Sequence, residues 1–333
     1  MTRAIPERRG RRPTGRPPKR PANSVEEVHL LPARPPPAPD PGPTATIPVS
    51  RGEPPEHLFR RLLGAYLAGA REFVIRERPS VTARTREVVR TFCRRTRQPE
   101  IISDEAGILR LRDLAYESPV PLAQRVGRMG RIVIEFHREA VESWSHLPFG
   151  EDGQWERRDD EIDREAWYLQ RLAAIQIEAG TDGTLVLGPW TIARSLERIA
   201  DHAVILAEAG RRLVDLPQGS APVVSLRQFH GQAMEHLEGV LASDGESTAN
   251  DLLDMGEALI ASGRSIADRL LPAVNGVMMP PATAAAVARI LESIGRTIAY
   301  AQDIAQVALD RALPVTLVTE RPVAGRLSLS PAS

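Results

Sequence analysis

Between Leu122 and Trp144 the residues Leu122, Val126, Met129, Val133, Phe136, Ala140 and Trp144 recur at steps of three and four, which draws an apolar stripe down a seven-turn helix. Ile162, Ala166, Leu169, Ala173 and Ile177 draw a second stripe, and Leu196, Ile199, Ala203, Leu206, Gly210 and Leu213 a third. Pro148-Phe149-Gly150 and Gly180-Thr181-Asp182-Gly183 lie between them as short, turn-like connections. Three antiparallel helices joined this way make one bundle. The layout then repeats at similar lengths near Ser225 to Leu241, Asn250 to Leu271 and Ala282 to Leu313, so six helices in two bundles are expected.

Ahead of the helices the period changes. Leu58-Phe59, Leu62-Leu63 and Tyr66-Leu67 fall at helical spacing, and Phe73-Val74-Ile75 reads as a short strand. Ser80 is placed to cap an arginine-rich helix, and Glu100-Ile101-Ile102 and Ile108 to Leu111 read as strands flanking a turn from Asp104 to Gly107. Thr44 to Val49 supplies an edge strand, the position where its Pro48 is tolerated. Fifteen of the 29 prolines fall between Met1 and Pro55, and Pro35-Pro36-Pro37-Ala38-Pro39 has too little apolar area to fold.

The expected fold is therefore mainly α. A disordered basic and proline-rich arm (1–43) precedes a small α/β module (44–117), a first three-helix bundle (118–220), a second (221–315) and a flexible tail (316–333).

The two bundles share a sequence. Leu196-Glu197-Arg198-Ile199-Ala200-Asp201 and Leu291-Glu292-Ser293-Ile294-Gly295-Arg296 each fall on the last helix of a triplet, which marks a duplication. The first copy sets Glu197 and Asp201 at i and i+4, one turn apart on one face, and Asp159 and Asp163 have that spacing on the preceding helix. Four carboxylates from two neighbouring helices form an oxygen-rich set suited to hard or borderline cations, and unfilled they raise one another's pKa. In the second copy Arg296 replaces the aspartate, and Asp251, Asp254 and Glu257 follow steps of three, so a cation is expected only in the first bundle. His202 lies about 100° around the helix from Asp201 and is read as a flanking residue. The alternative is an ordinary solvated face, for which Arg157, Arg158, Arg164, Arg194 and Arg198 are the available partners.

Charge and cysteine content narrow the class. The formal net charge is zero, yet Met1 to Arg20 carries eight arginines or lysines against the single acid Glu7. Arg9, Arg11, Arg12 and Arg16, in Arg9-Gly10-Arg11 and Gly15-Arg16-Pro17, resemble the core of AT-hook peptides, whose arginines enter narrow minor grooves. One cysteine, Cys93, excludes an internal disulfide framework and agrees with a reducing, cytoplasmic setting. Neither a signal peptide nor a transmembrane stretch is visible, since Leu270 to Ala288 is broken by Pro272, Pro280 and Pro281. No nucleophile elbow, phosphate loop, zinc motif or dinucleotide fingerprint is present, and the Glu-x-x-His element of di-iron bundles is absent from these helices, so no enzyme is expected.

Leu196 to Ala203, Asp159-Asp160-Glu161-Ile162-Asp163 upstream and Leu62 to Ala70 further upstream resemble, as an ordered set, the PhoU family of phosphate-uptake regulators, over residues 57 to 315. The Leu62 to Ala70 segment is similar to archaeal members that carry an N-terminal AbrB-like DNA-binding hairpin, here degenerate or missing. The resemblance implies tandem three-helix bundles, often dimeric. It implies acid-x-x-x-aspartate pairs that hold a divalent or trivalent metal (Mg, Mn, Fe or Zn), here Asp159, Asp163, Glu197 and Asp201. It further implies regulation of phosphate uptake through contact with the transporter or its signalling components. A DNA-binding regulator using the basic arm is the second reading.

Overall fold

The computed structural model describes residues 42–105, 107–113, 121–145, 153–213, 216–243, 245–271 and 279–312. The arm with Arg9, Arg11, Arg12 and Arg16, and the tail 316–333, lie outside the described residues. No helix among the described residues is long and apolar enough to cross a membrane.

The α/β module runs β1 (Thr44–Val49), α1 (Pro55–Leu67), β2 (Glu72–Glu77), α2 (Ala83–Arg95), β3 (Pro99–Glu105) and β4 (Ile108–Asp113). Its sheet has the order β1-β2-β4-β3. β1 pairs parallel to β2 with Ile47 opposite Ile75, and β4 pairs antiparallel to both β2 and β3. β1 therefore sits at an edge, where Pro48 breaks no ladder on its outer side. Alternation sends Phe73, Ile75, Leu109 and Leu111 to one face, where Leu62 and Tyr66 of α1 and Val89 and Phe92 of α2 cover them, all buried. Gly107 closes the β3–β4 turn at φ +83°, and a Cβ there would stand 2.8 Å from the Glu77 carbonyl.

One expected cap moves. Thr82, not Ser80, caps α2: its Oγ1 accepts from the Thr85 N–H at 3.2 Å, and the Glu77 carboxylate accepts from the Thr82 N–H at 2.7 Å. Both residue types suit an N-cap, and it is the Glu77 contact that selects the later one.

The rest is helical. α3 (Leu122–Glu142), α4 (Gln154–Glu178) and α5 (Gly183–Gly210) form one triplet, and α6 (Ala221–Ala242), α7 (Glu246–Leu270) and α8 (Pro281–Ala312) a second. α3 is shorter than its stripe suggests, because Ser143–Ser145 is a 3-10 turn that buries Trp144. Within each triplet the last helix packs on the other two, and α5 also packs along α8. One apolar core runs through all six helices, with Val133, Leu196, Ile199, Leu206, Leu226, Ile290, Ile294 and Ile298 fully buried. The two copies of the repeat thus line the seam between triplets. Arg198 of α5 and Arg296 of α8 both lie over the Tyr300 ring, at 5.6 and 5.4 Å, and His202 meets the same ring at 5.9 Å.

The module is fastened to α4 by a buried cation. The Arg171 side chain is 1% exposed; its Nη2 donates to Asp113 Oδ2 at 2.8 Å and its Nη1 to the Tyr66 carbonyl at 2.6 Å. Trp167 of α4 packs against the module's core.

Candidate functional site

Asp159 and Asp163 project from α4 and Glu197 and Asp201 from α5, each pair one turn apart on its helix. The helices pack together, so the i, i+4 spacing delivers both pairs to one shared face. Asp163 is buried, Asp159 and Glu197 are half-buried and Asp201 is exposed, which grades the face from floor to rim.

The electrostatics record how closely these groups meet. Burial, then the charges of Asp163, Asp201, Asp160 and Glu197, push Asp159 up to about 7. Burial followed by Asp201 and Asp163 pushes Glu197 up to about 7, against the pull of Arg194 and Arg198. Asp163 is pushed up to about 6 by burial, with the nearby Arg95 guanidinium opposing and Asp201 and Asp160 adding. Asp201 is raised by burial against Arg198. Burial is the largest cause at all four groups, and neighbouring carboxylates add to it at Asp159, Asp163 and Glu197.

The donor chemistry fits a hard cation. All four groups offer oxygen, and Asp159 Oδ1 is buried without a hydrogen-bond partner. Among the described residues, however, no three histidine, cysteine or carboxylate side chains are already gathered around one point as a ligand set. The face is a field of facing acids whose side chains must turn inward to share an ion.

The arginines nearby in sequence make their direct contacts elsewhere, although Arg194 and Arg198 still act through space on Glu197. Arg158 pairs with Glu139 at 3.4 Å and Glu161 at 3.9 Å, Arg194 lies over Trp190 at 5.4 Å, and Arg198 over Tyr300. Glu208, further along α5, meets Arg289 of α8 at 3.7 Å and takes no part in the acid face. His202 points to the α5–α8 seam, as its place on the helix implies.

The residue that sequence reasoning missed is Arg95, the last residue of α2. Its Nη2 lies 2.6 Å from Asp160 Oδ1 and 3.1 Å from Asp163 Oδ2. Beside it Arg97 pairs with Glu165 at 2.5 Å, and Arg125 reaches the same carboxylate at 3.7 Å. The one hint in the sequence is the complement of an arginine-rich helix with an aspartate-rich one.

The second copy differs in kind. Glu292 and Arg296 are both exposed, and Arg296 Nη2 donates to the Tyr300 hydroxyl at 3.2 Å. The acid pair has no counterpart there.

Residues 126–210 match the PhoU domain family, a span that begins inside α3, ends with α5 and contains all four carboxylates. The crystal structure of the phosphate transport system regulatory protein PhoU from Streptococcus pneumoniae is similar at 15% identity and a TM-score of 0.49, covering 57% of this chain and 92% of that one. Among curated proteins none matches this chain.

Proposed function

We propose that this chain is a non-enzymatic regulator of phosphate uptake that works through protein contacts of its helical body, with a cation on the α4–α5 face. The observation that carries the reading is that the PhoU-domain match covers α4 and α5, the two helices that bring Asp159, Asp163, Glu197 and Asp201 together. Those four residues would hold a divalent or trivalent ion. Bound there, it supplies positive charge that relieves the repulsion between the two helices and presents a cationic centre on an otherwise acidic surface.

The protein's own residues do the rest. Leu196, Ile199 and Ala200 are fully buried and fix the rotation of α5, which holds Glu197 and Asp201 toward α4. Ile162, Ala166 and Leu169 do the same for α4 and its aspartates. The transporter or its signalling components are the partners this reading assigns, and the second triplet, lacking the acid pair, is left as packing and contact surface.

Two measurements test it. Elemental analysis of the purified full chain should show bound metal that an Asp163→Asn, Asp201→Asn double variant loses; equal metal in both proteins removes the site. Deleting the gene should leave labelled phosphate uptake high in phosphate-replete cells, and uptake that still falls normally would sink the regulatory role.

A further inference from the structure

Away from the acid face, the first turns of α3 and α5 and the last turns of α6 and α8 surround a half-open cavity of about 370 Å³. It lies where the first triplet meets the second, since α3 packs on α6 and α5 on α8. Small residues leave the space: Gly127 of α3 and Ala308 of α8 face it, and Val126 and Val240 form apolar walls. Its size falls within the range of about 300–1,000 Å³ in which small-molecule sites are found.

Two polar groups break this apolar lining. Among the described residues that line the cavity, Arg311 alone is charged. A Cβ on Gly188 would stand 3.2 Å from Arg311 Cδ, so the arginine stem runs close along the backbone of α5. Its guanidinium is exposed and holds no ion pair or hydrogen bond among the described residues, and the carboxylate of the adjacent Asp310 already accepts from Gln306 Nε2 at 2.8 Å. Ser243, just past the end of α6, is the second group. Its N–H donates to the Val240 carbonyl at 3.2 Å, but its Oγ is buried without a partner, a state that native proteins seldom leave unmet. Apolar walls, one uncommitted guanidinium and one unmet hydroxyl match a ligand with an apolar body and an oxyanion head.

We propose that this cavity binds a small amphipathic anion, an aliphatic carboxylate whose chain lies between Val126 and Val240 and whose head group meets Arg311. The site is independent of the cation on the α4–α5 face, because none of the four carboxylates lines it. Its walls come from both triplets, so an occupant ties α3 and α5 to α6 and α8 and raises the stability of the whole body by mass action. Free phosphate has a matching charge but no chain, and would leave the apolar walls unfilled.

Calorimetric titration of the full chain with octanoate, octanol and inorganic phosphate tests this, comparing wild type with Arg311→Gln and Ala308→Phe. Octanoate should bind wild type with a Kd below about 1 mM, and phosphate far more weakly. Arg311→Gln, a change at an exposed position that leaves the packing intact, should weaken octanoate about tenfold and leave octanol unchanged, a split that a merely structural arginine would not produce. Ala308→Phe fills the cavity with the rim charge in place and should abolish binding of both; if it fails to fold, the Arg311→Gln comparison still decides. No octanoate binding to wild type, equal octanoate affinity in Arg311→Gln, or undiminished binding by folded Ala308→Phe overturns the site. Phosphate binding tighter than octanoate overturns the amphipathic ligand class.

Discussion

His137 of α3 and His230 of α6 stack ring on ring, centroids 5.6 Å apart and planes 14° from parallel, where the first triplet meets the second. His137 Nε2 lies 2.6 Å from the Ile199 carbonyl, while its Nδ1 and His230 Nε2 are buried without partners. Both rings are almost wholly buried, at 0% and 4% exposure, so charging either one places a cation in the apolar core.

That burial sets an acid limit on stability. Burial chiefly, opposed by the Ile199 contact and aided by His202, lowers His137 to about 4; burial and then the charges of His137, Arg138 and Arg227 lower His230 to about 3. With folded values below the unfolded 6.5, the unfolded chain binds more protons across this window, so stability rises with pH there. It is complete above about 6.5 and lost as pH falls toward 4. Between pH 6.5 and 4.5 each ring should cost about 2 kcal/mol. Denaturant melts across that range should show the loss, and a His137→Gln, His230→Gln double variant should flatten it; a variant as steep as wild type removes the assignment.

The acid face has the opposite sign. Asp159 and Glu197 are both raised to about 7, so the folded protein binds more protons than the unfolded chain between about pH 4 and 7. Stability from these groups is present below their unfolded values and is lost as pH rises through 7. In metal-free protein at pH 8, Asp159→Asn should therefore stabilise by about 1 kcal/mol, a figure already discounted for solvent screening of half-exposed groups. At pH 4 the gain should vanish. Thermal melts in chelator check this, and a destabilised variant at pH 8 would contradict a cost of holding Asp159 charged in this half-buried acidic face.

The helices were legible because long stripes at steps of three and four admit little else, and the acid pairs because i, i+4 spacing fixes a face whatever the tertiary context. Arg95 was not legible. Its pairing with Asp163 spans 68 residues and depends on how the module seats on α4, which no local pattern encodes. The shared core was hidden for a related reason. A stripe shows that a side of α5 is buried without telling whether α3, α4 or α8 buries it. The arm 1–43 and its arginines remain a reading of composition, since they lie outside the described residues.

Gly210 tests the packing at the end of α5. A Cβ on this residue would stand 2.0 Å from Cδ1 and Nε1 of Trp144, whose indole N–H donates to the Leu206 carbonyl at 3.0 Å. Trp144 is 1% exposed and cannot retreat without breaking that bond. Gly210→Ala should destabilise by about 2–3 kcal/mol through overpacking, despite alanine's better helix propensity. Equilibrium unfolding followed by tryptophan fluorescence reads this out, and an unchanged midpoint would show that the indole shifts freely.

Arg171 decides whether the module and the helical body unfold as one. Its guanidinium joins Asp113 of β4 and the Tyr66 carbonyl of α1 to α4 and lies over the Tyr66 ring at 4.7 Å. Substituting Arg171→Met keeps much of the volume but leaves the Asp113 carboxylate, 9% exposed, beside an apolar chain. Losing the charge-assisted hydrogen bonds of this guanidinium should cost about 1.5–3 kcal/mol. The cost should fall on the module's attachment, since the six-helix core contains neither Tyr66 nor Asp113. Limited proteolysis of the variant should therefore cut within residues 44–113 before it touches α3 to α8. Simultaneous cleavage of both parts would instead mean that the module and the bundle are a single cooperative unit.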